Sequence, residues 1–420
     1  MPRTVLDVTR LLTRAHHPVA TGVDRVELAY ARRMLELPPQ RTGFAAITGR
    51  VAGRLPRGRV AALVEALDRR WSEGRGDAAS ARRLAGRLGA ATPAAWDAAS
   101  AHDEGEDATR LAISLRAIAL AGFAFPPVAP GDTYVHVSHI RLDRTAPFEA
   151  IRAAGADLTV LVHDLIPIRF PEYGRAGEDA RHRRRMTTAL EFATTLIANS
   201  EDTARDLAAF AMETKRFAPP IVPARLGVES GFRRDVEPLA ATKPYFVALG
   251  TIEPRKNHLT LLHVWRRLAE ELGEAAPTLV LVGRRGWENE MVVDLLERCP
   301  AMRAHVIETN DLPDTALVAL LRGARALLFP SFSEGFGLPL AEALGLGAPA
   351  VASDLPAFRE VAGDAADYLD PLDGPGWERA VLAFMRDPSP RRDQALARAA
   401  AYAPPSWASH FARVDAALGL

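Results

Sequence analysis

Short apolar runs and helix-period stretches alternate through the second half of the chain. Residues 245–249, 278–282, 305–308, 326–329 and 350–352 read as strands, largely apolar except at 305–308. Between them, residues 259–272, 289–296, 314–321 and 338–346 carry apolar positions at helical spacing. Strands separated by helices of this length predict a parallel sheet covered on both faces. Right-handed crossovers make that a doubly wound domain.

The first half repeats the alternation more loosely. Strand-like runs lie at 5–8, 44–47, 133–137, 158–162 and 196–198, and 221–228 closes the half. A helical pattern follows Thr21-Gly-Val-Asp-Arg25 to about residue 35. Ser200 reads as a helix N-cap, with Glu201 and Asp202 in the first turn. Residues 50–121 are rich in Ala, Arg and Gly and read as a helical insertion. A polar, proline-bearing stretch at 229–244 reads as an interdomain linker. The expected fold class is α/β, with two Rossmann-like doubly wound domains facing across a cleft. The expected boundaries are 1–230 for the N-terminal domain, 231–244 for the linker and 245–400 for the C-terminal domain. Residues 401–420 would form a final helix.

Composition narrows the classes. The 420 residues include 48% hydrophobic and 25% charged, as in globular proteins. Net formal charge is zero, which gives no bulk attraction to nucleic acid. Lys215, Lys243 and Lys256 are the only lysines. The single Cys299 excludes an internal disulfide and suits a reducing compartment. The opening Met-Pro-Arg-Thr-Val-Leu-Asp-Val reads as a first strand rather than a signal peptide. No apolar run is long enough to span a bilayer, so the expected location is cytoplasmic. The basic stretch with Arg181, Arg183, Arg184 and Arg185 leaves two readings, a solvated helix face and a weak peripheral contact with anionic lipid.

Candidate chemistry concentrates where strands give way to helices. The run 326–330 feeds into Ser331-Phe-Ser-Glu-Gly-Phe-Gly-Leu-Pro-Leu-Ala-Glu342. Gly335 and Gly337 allow a tight turn and close approach to a ligand. Pro339 suits a first helical turn, whose free N–H groups favour an anion. Glu334 and Glu342 lie eight positions apart, one on the loop and one on the helix. A carboxylate accepts well from two vicinal hydroxyls, so an acidic pair beside an anion site suits a sugar nucleotide. Gly250-Thr-Ile-Glu-Pro-Arg-Lys-Asn257 also lies between strand and helix. Arg255 and Lys256 at a helix start are misplaced unless they meet an anion. His163 ends an apolar run at the carboxyl edge of the first domain, where ligands of this architecture bind. Asp164 would orient its imidazole or cap the turn. Thr21-Gly22 is a weak phosphate-loop signal, with the cation Arg25 nearby.

Gly250 to Asn257 and Glu334-Gly-Phe-Gly-Leu-Pro-Leu-Ala-Glu342 resemble the motifs of retaining glycosyltransferases of family 4, whose fold is GT-B. His163-Asp-Leu-Ile-Pro167 resembles a first-domain segment of bacterial polysaccharide mannosyltransferases. The resemblance implies transfer of a hexose, mannose among the candidates, from a nucleotide diphosphate sugar to a hydroxyl of a glycan or lipid-linked saccharide. It implies that Arg255 and Lys256 hold the donor diphosphate, with Gly250 beside them. Glu342 would bind the ribose. Glu334 would bind the transferred sugar, beside the backbone of Gly335, Phe336, Gly337 and Leu338. His163 would face the anomeric carbon, and Gly22 would lie in a flexible first-strand loop near the phosphates. The family commonly has two glycines in that loop, and Thr21 takes the first place here. The tail, with Pro405-Ser-Trp407 and its final helix, resembles the GT-B segment that crosses back onto the N-terminal domain. No Asp-x-Asp triplet occurs, so cations in place of a metal are expected, with no cofactor beyond the donor. Two other readings remain at this stage, a sugar-nucleotide epimerase of the same architecture and a non-catalytic sugar-nucleotide or carbohydrate-binding protein.

Overall fold

The computed structural model describes residues 2–17, 19–72, 78–92, 125–229, 231–232, 234–310 and 312–419, with residues 112 and 115. The chain divides into two compact units. Unit 1 is Met1–Glu73, His102–Leu226 and Trp407–Leu420; unit 2 is Gly74–Ala101 and Gly227–Ser406.

Unit 1 is built on seven strands: β1 Thr4–Asp7, β2 Thr42–Thr48, β3 Val51–Leu55, β4 Thr133–His136, β5 Asp157–Val162, β6 Thr195–Ala198 and β7 Ile221–Pro223. Their order is β3-β2-β1-β4-β5-β6-β7, all neighbours parallel except β2 and β3. The order reverses direction between β1 and β4. Ser200 caps the helix Glu201–Glu213 through the Thr203 N–H, as its sequence position predicts. The final helix, Trp407–Leu418, belongs to this unit; His410 Nε2 meets the Tyr30 hydroxyl at 2.8 Å.

Unit 2 is a six-stranded parallel sheet in the order β10-β9-β8-β11-β12-β13. The strands are β8 Tyr245–Leu249, β9 Thr278–Val282, β10 Val306–Thr309, β11 Leu327–Phe329, β12 Ala350–Ser353 and β13 Asp367–Leu369. Strand β8 shows why such strands read as unbroken apolar runs. Tyr245, Val247 and Leu249 enter one core, while Phe246 and Ala248 enter the core on the opposite face. Here the order reverses between β8 and β11.

Residues 50–121 depart from the helical reading in two ways. Val51–Leu55 is a strand, antiparallel to β2 at the sheet edge. Gly53 and Arg54 weaken its sequence signal. The helix Arg57–Ser72 follows in unit 1. The helix Ala78–Arg87, however, belongs to unit 2, where Ala81, Leu84, Ala85 and Leu88 are buried in the core with Tyr245 and Val247. Most of the remainder of 50–121 lies outside the described residues. The stretch read as a linker is also tied to unit 2. Leu239 is buried there and donates its N–H to the Ala319 carbonyl at 2.9 Å.

Candidate functional site

In open parallel sheets, ligands bind beyond the carboxyl ends of the strands, where strand order reverses. In unit 2 that place lies between the loops leaving β8 and β11. The first loop begins at Gly250, whose φ of +136° disfavours any L side chain; a Cβ there would come within 3.0 Å of Lys256 Cε. A 3-10 turn, Pro254–Lys256, leads to Asn257 in the left-handed conformation and then to the helix His258–Leu272. Asn257 fixes this turn. Its Nδ2 donates to the carbonyls of Pro330 at 3.1 Å and Pro371 at 2.9 Å. The Phe332 N–H donates to the Arg255 carbonyl at 2.8 Å, which joins the two loops directly.

The second loop delivers Glu334. Its carboxylate pairs with Lys256 Nζ and lies 2.7 Å from a guanidinium nitrogen of Arg255. Ser331 Oγ donates to the same carboxylate at 2.9 Å. Arg255 also reaches Glu253 at 2.7 Å. Lys256 Nζ lies 4.7 Å from the centre of the Phe329 ring, a cation–π arrangement. Side-chain exposure is 9% for Lys256 and 10% for Glu334, so this cluster has little water to screen it. Burial pushes the Glu334 carboxyl up, but Arg255 and Lys256 outweigh it and hold the group down at about 2. Burial lowers the Lys256 ammonium, opposed by Glu334. Burial raises Glu253 despite Arg255.

The structure pairs both cations with Glu334, a contact the sequence reading did not include. The anion they call for is supplied within the chain by Glu334, with Glu253 as a second. Two cations and two carboxylates share the cluster, so it is not a bare positive site. Gly335, Phe336, Gly337 and Leu338 follow Glu334 into the helix Leu338–Gly345. Gly337 has φ +99°, and a Cβ would lie 2.7 Å from the Phe358 ring. Phe336 and Glu342 are buried, Glu342 on that helix. Ser331, Glu253 and Asn257 are the residues sequence reasoning passed over. The signal for Asn257 was available, because Asn is among the few residues that readily adopt a left-handed turn.

In unit 1, His163 follows β5 directly. Its Nε2 lies 2.8 Å from the Val137 carbonyl, which can only accept, so Nε2 carries the proton. The backbone is held as firmly. Its N–H donates to His139 Nε2 at 3.2 Å, and its carbonyl accepts from Asn199 Nδ2 at 2.8 Å. His139 stands edge-on between His163 and His182, with ring centres 5.2 and 5.1 Å away. Burial pushes His163 down to about 4, and lowers His139 and His182 as well. All three are neutral imidazoles at neutral pH. Asp164 caps the turn, accepting the Ile166 N–H at 3.1 Å.

Gly22 does not lie in a flexible loop. It is the first residue of the helix Gly22–Glu36, with Thr21 and Asp24 forming a capping box. Asp24 is pinned in turn by Arg10 at 2.6 Å and Arg14 at 3.4 Å, both from the helix Thr9–Arg14. Two buried acids nearby escaped the sequence reading. Asp7 accepts from the Thr9 N–H at 2.8 Å and from the Tyr134 hydroxyl. Glu27 accepts the Leu11 N–H at 2.9 Å, and burial with the nearby Asp7 charge lifts it to about 8. Among the described residues, no group of three or more His, Cys, Asp or Glu side chains is placed to hold a metal. No helix among them is long and apolar enough to cross a membrane.

Residues 230–400 match the family described as "Glycosyl transferases group 1". The chain is 31% identical over 247 residues to the serotype-specific mannosyltransferase WbdA of Escherichia coli, covering 55% of this chain and 30% of that one. It is 38% identical over 163 residues to O-antigen chain mannosyltransferase B of Escherichia coli, covering 39% and 42% respectively. The chain thus spans less than half the length of these relatives. Among solved structures, HepE of Anabaena in complex with UDP aligns over 100% of both chains with a TM-score of 0.61 at 14% identity. The sucrose-phosphate synthase of Thermosynechococcus elongatus aligns over 100% of this chain and 98% of that one, with a TM-score of 0.60 at 14% identity. These likenesses are ones of fold, and the fold is GT-B.

Proposed function

We propose that the protein is a glycosyltransferase that moves a hexose, mannose in the first instance, from a nucleotide diphosphate sugar to a hydroxyl of a glycan or lipid-linked saccharide. The observation that carries this reading is the convergence of Arg255, Lys256 and Glu334 at the point where the strand order of unit 2 reverses. The matched family spans this site, and the mannosyltransferase relatives support the choice of sugar.

In this reading, Arg255 and Lys256 hold the donor diphosphate, Glu342 the ribose and Glu334 hydroxyls of the transferred sugar. Glu334 already spans both cations, so incoming phosphate oxygens compete with it. As they take over Lys256 and Arg255, its oxygens become available to sugar hydroxyls. The bond from the anomeric carbon to phosphate breaks, and the bond to the acceptor oxygen forms on the same face. The acceptor proton passes to the departing phosphate oxygen, whose negative charge the cations stabilise most as it develops. No metal enters the proposed step. His163 is proposed as a hydrogen-bond partner of a substrate hydroxyl. Its Nε2–H is committed to Val137, which leaves Nδ1 as an acceptor.

The test is incubation with a panel of labelled nucleotide sugars, guanosine diphosphate mannose first, and a lipid-linked or oligosaccharide acceptor. Transfer that survives a chelator, with the donor's anomeric configuration kept in the product by NMR, is expected. An inverted product would remove the same-face step, and loss of turnover on chelation would remove the metal-free one. Release of an epimerised donor without acceptor would replace the transferase reading altogether.

A further inference from the structure

Unit 2 holds a second cationic cluster, at the opposite end of its sheet. A cavity of about 230 Å3 opens at the amino-terminal ends of β8 and β11. Lys243, two residues before β8, and Arg325, two residues before β11, both line it. Arg392, in the first turn of the helix Pro390–Ala401, completes the cluster. The nearby acids are few. Asp387 lies 3.8 Å from Arg325 and is 83% exposed, and Asp393 follows Arg392 in the chain. Lys243 Nζ donates to the Glu274 carbonyl at 2.8 Å, which satisfies a donor without neutralising the charge.

Arg392 is the least expected of the three. Among the described residues it has no ion pair, and its Nε makes only a 3.4 Å contact with the Arg325 carbonyl. Burial and the like charge of Arg325 depress its pKa. Its place in a first helical turn also sets it against the helix dipole. Each of these effects costs free energy in the empty protein, and the attraction of an anion lying between the guanidinium groups would offset them. Guanidinium forks match phosphate oxygens two at a time.

We propose that this cavity binds a phosphate group, either free or carried on a larger molecule, with Arg325, Arg392 and Lys243 as its ligands. The site is separate from Arg255 and Lys256, because the whole length of β8 stands between them, on the order of 20 Å. It does not depend on the transferase reading.

The test uses the whole chain at constant ionic strength, with inorganic phosphate, pyrophosphate and a nucleoside diphosphate as probes. Binding is followed by thermal shift and phosphorus NMR, with sodium chloride as the control. Inorganic phosphate should raise the melting temperature of the wild type and of Lys256→Ala alike. Arg392→Gln should weaken that binding by about tenfold or more, as should Arg325→Gln. Dependence on Arg392 for inorganic phosphate assigns a free anion. The same dependence seen only with the nucleoside diphosphate assigns a carried one. Without phosphate, Arg392→Gln should be at least as stable as the wild type, because a like charge is removed. An Arg392→Gln protein that binds every probe normally would overturn the proposal, as would failure of the wild type to bind any. A phosphate-free Arg392→Gln protein less stable than the wild type would make the arginine a structural prop and would also overturn it.

Discussion

Lys256 Nζ and the Glu334 carboxylate, 78 positions apart in the chain, form an ion pair where the β8 and β11 loops meet. The pair makes the two residues unequal as targets. In Lys256→Ala, Glu334 keeps Arg255 and Ser331 as partners, so the fold should hold. Turnover should fall by about 100-fold or more, the usual loss for a deleted group that stabilises developing charge. Near-normal turnover in a steady-state assay would end the phosphate role for this lysine.

Glu334→Gln should behave differently. It leaves the buried ammonium of Lys256 without its main counter-charge, at a cost of about 3 kcal/mol by urea unfolding. The same change removes the competitor for phosphate, so a nucleoside diphosphate should bind about tenfold more tightly. Transfer should nevertheless drop, since the carboxylate that would receive the sugar is gone. Calorimetric titration showing weaker diphosphate binding would contradict the competition.

His163 and Glu27, both in unit 1, give opposite pH signatures. His163 titrates at about 4 in the folded chain against 6.5 unfolded. The unfolded chain therefore binds more protons between those values, and stability is lost as pH falls from 6.5 to 4. The loss from this group is up to about 3 kcal/mol. Unfolding curves for His163→Gln at pH 7 and pH 4.5 should show a smaller acid loss than the wild type.

Glu27 works the other way. Its carboxyl titrates at about 8 when folded, against 4.5. Here the folded chain holds the extra proton, and stability is lost as pH rises from 4.5 to 8. Glu27→Gln keeps an acceptor for the Leu11 N–H and removes the titration. It should match the wild type near pH 4.5 and exceed it by a few kcal/mol at pH 8. Equal slopes for both proteins over that range would show that Glu27 is ionised in the fold.

Gly337→Ala should be destabilising by about 2 kcal/mol or more, through its positive φ and the contact with Phe358. Because that turn joins the loop bearing Glu334 to the helix bearing Glu342, donor binding should weaken as well. A calorimetric scan and a binding isotherm would check both.

How much of this was legible depends on the distance over which each feature is encoded. Strands β8 and β9 were read to the residue, because a strand buried on both faces leaves an unbroken apolar run. The approach of Lys256 to Glu334 left no local trace; only the oddity of two cations at a helix start hinted at an anion. Strand β3 was missed because Gly53 and Arg54 break its pattern. Gly22 was misplaced because Thr21 and Asp24 were not read as a capping box, although their spacing allowed it. His163 was found from its position after β5, while its partners His139 and Asn199 come from other strand ends. The burial of Asp7 and Glu27 could not be read from residue type, since both acids are ordinarily exposed.

The helix Ala78–Arg87 has a consequence for dissecting the molecule. Its apolar face fills the core of unit 2, and Thr242 donates its N–H to the Leu88 carbonyl at 3.2 Å. A fragment cut as the continuous stretch from 227 to 406 would lack this plug and bare the side chains it covers. Such a fragment should aggregate when expressed alone and recover when a peptide spanning 74–101 is supplied in trans. The genetic order of the chain and the physical order of its parts do not coincide.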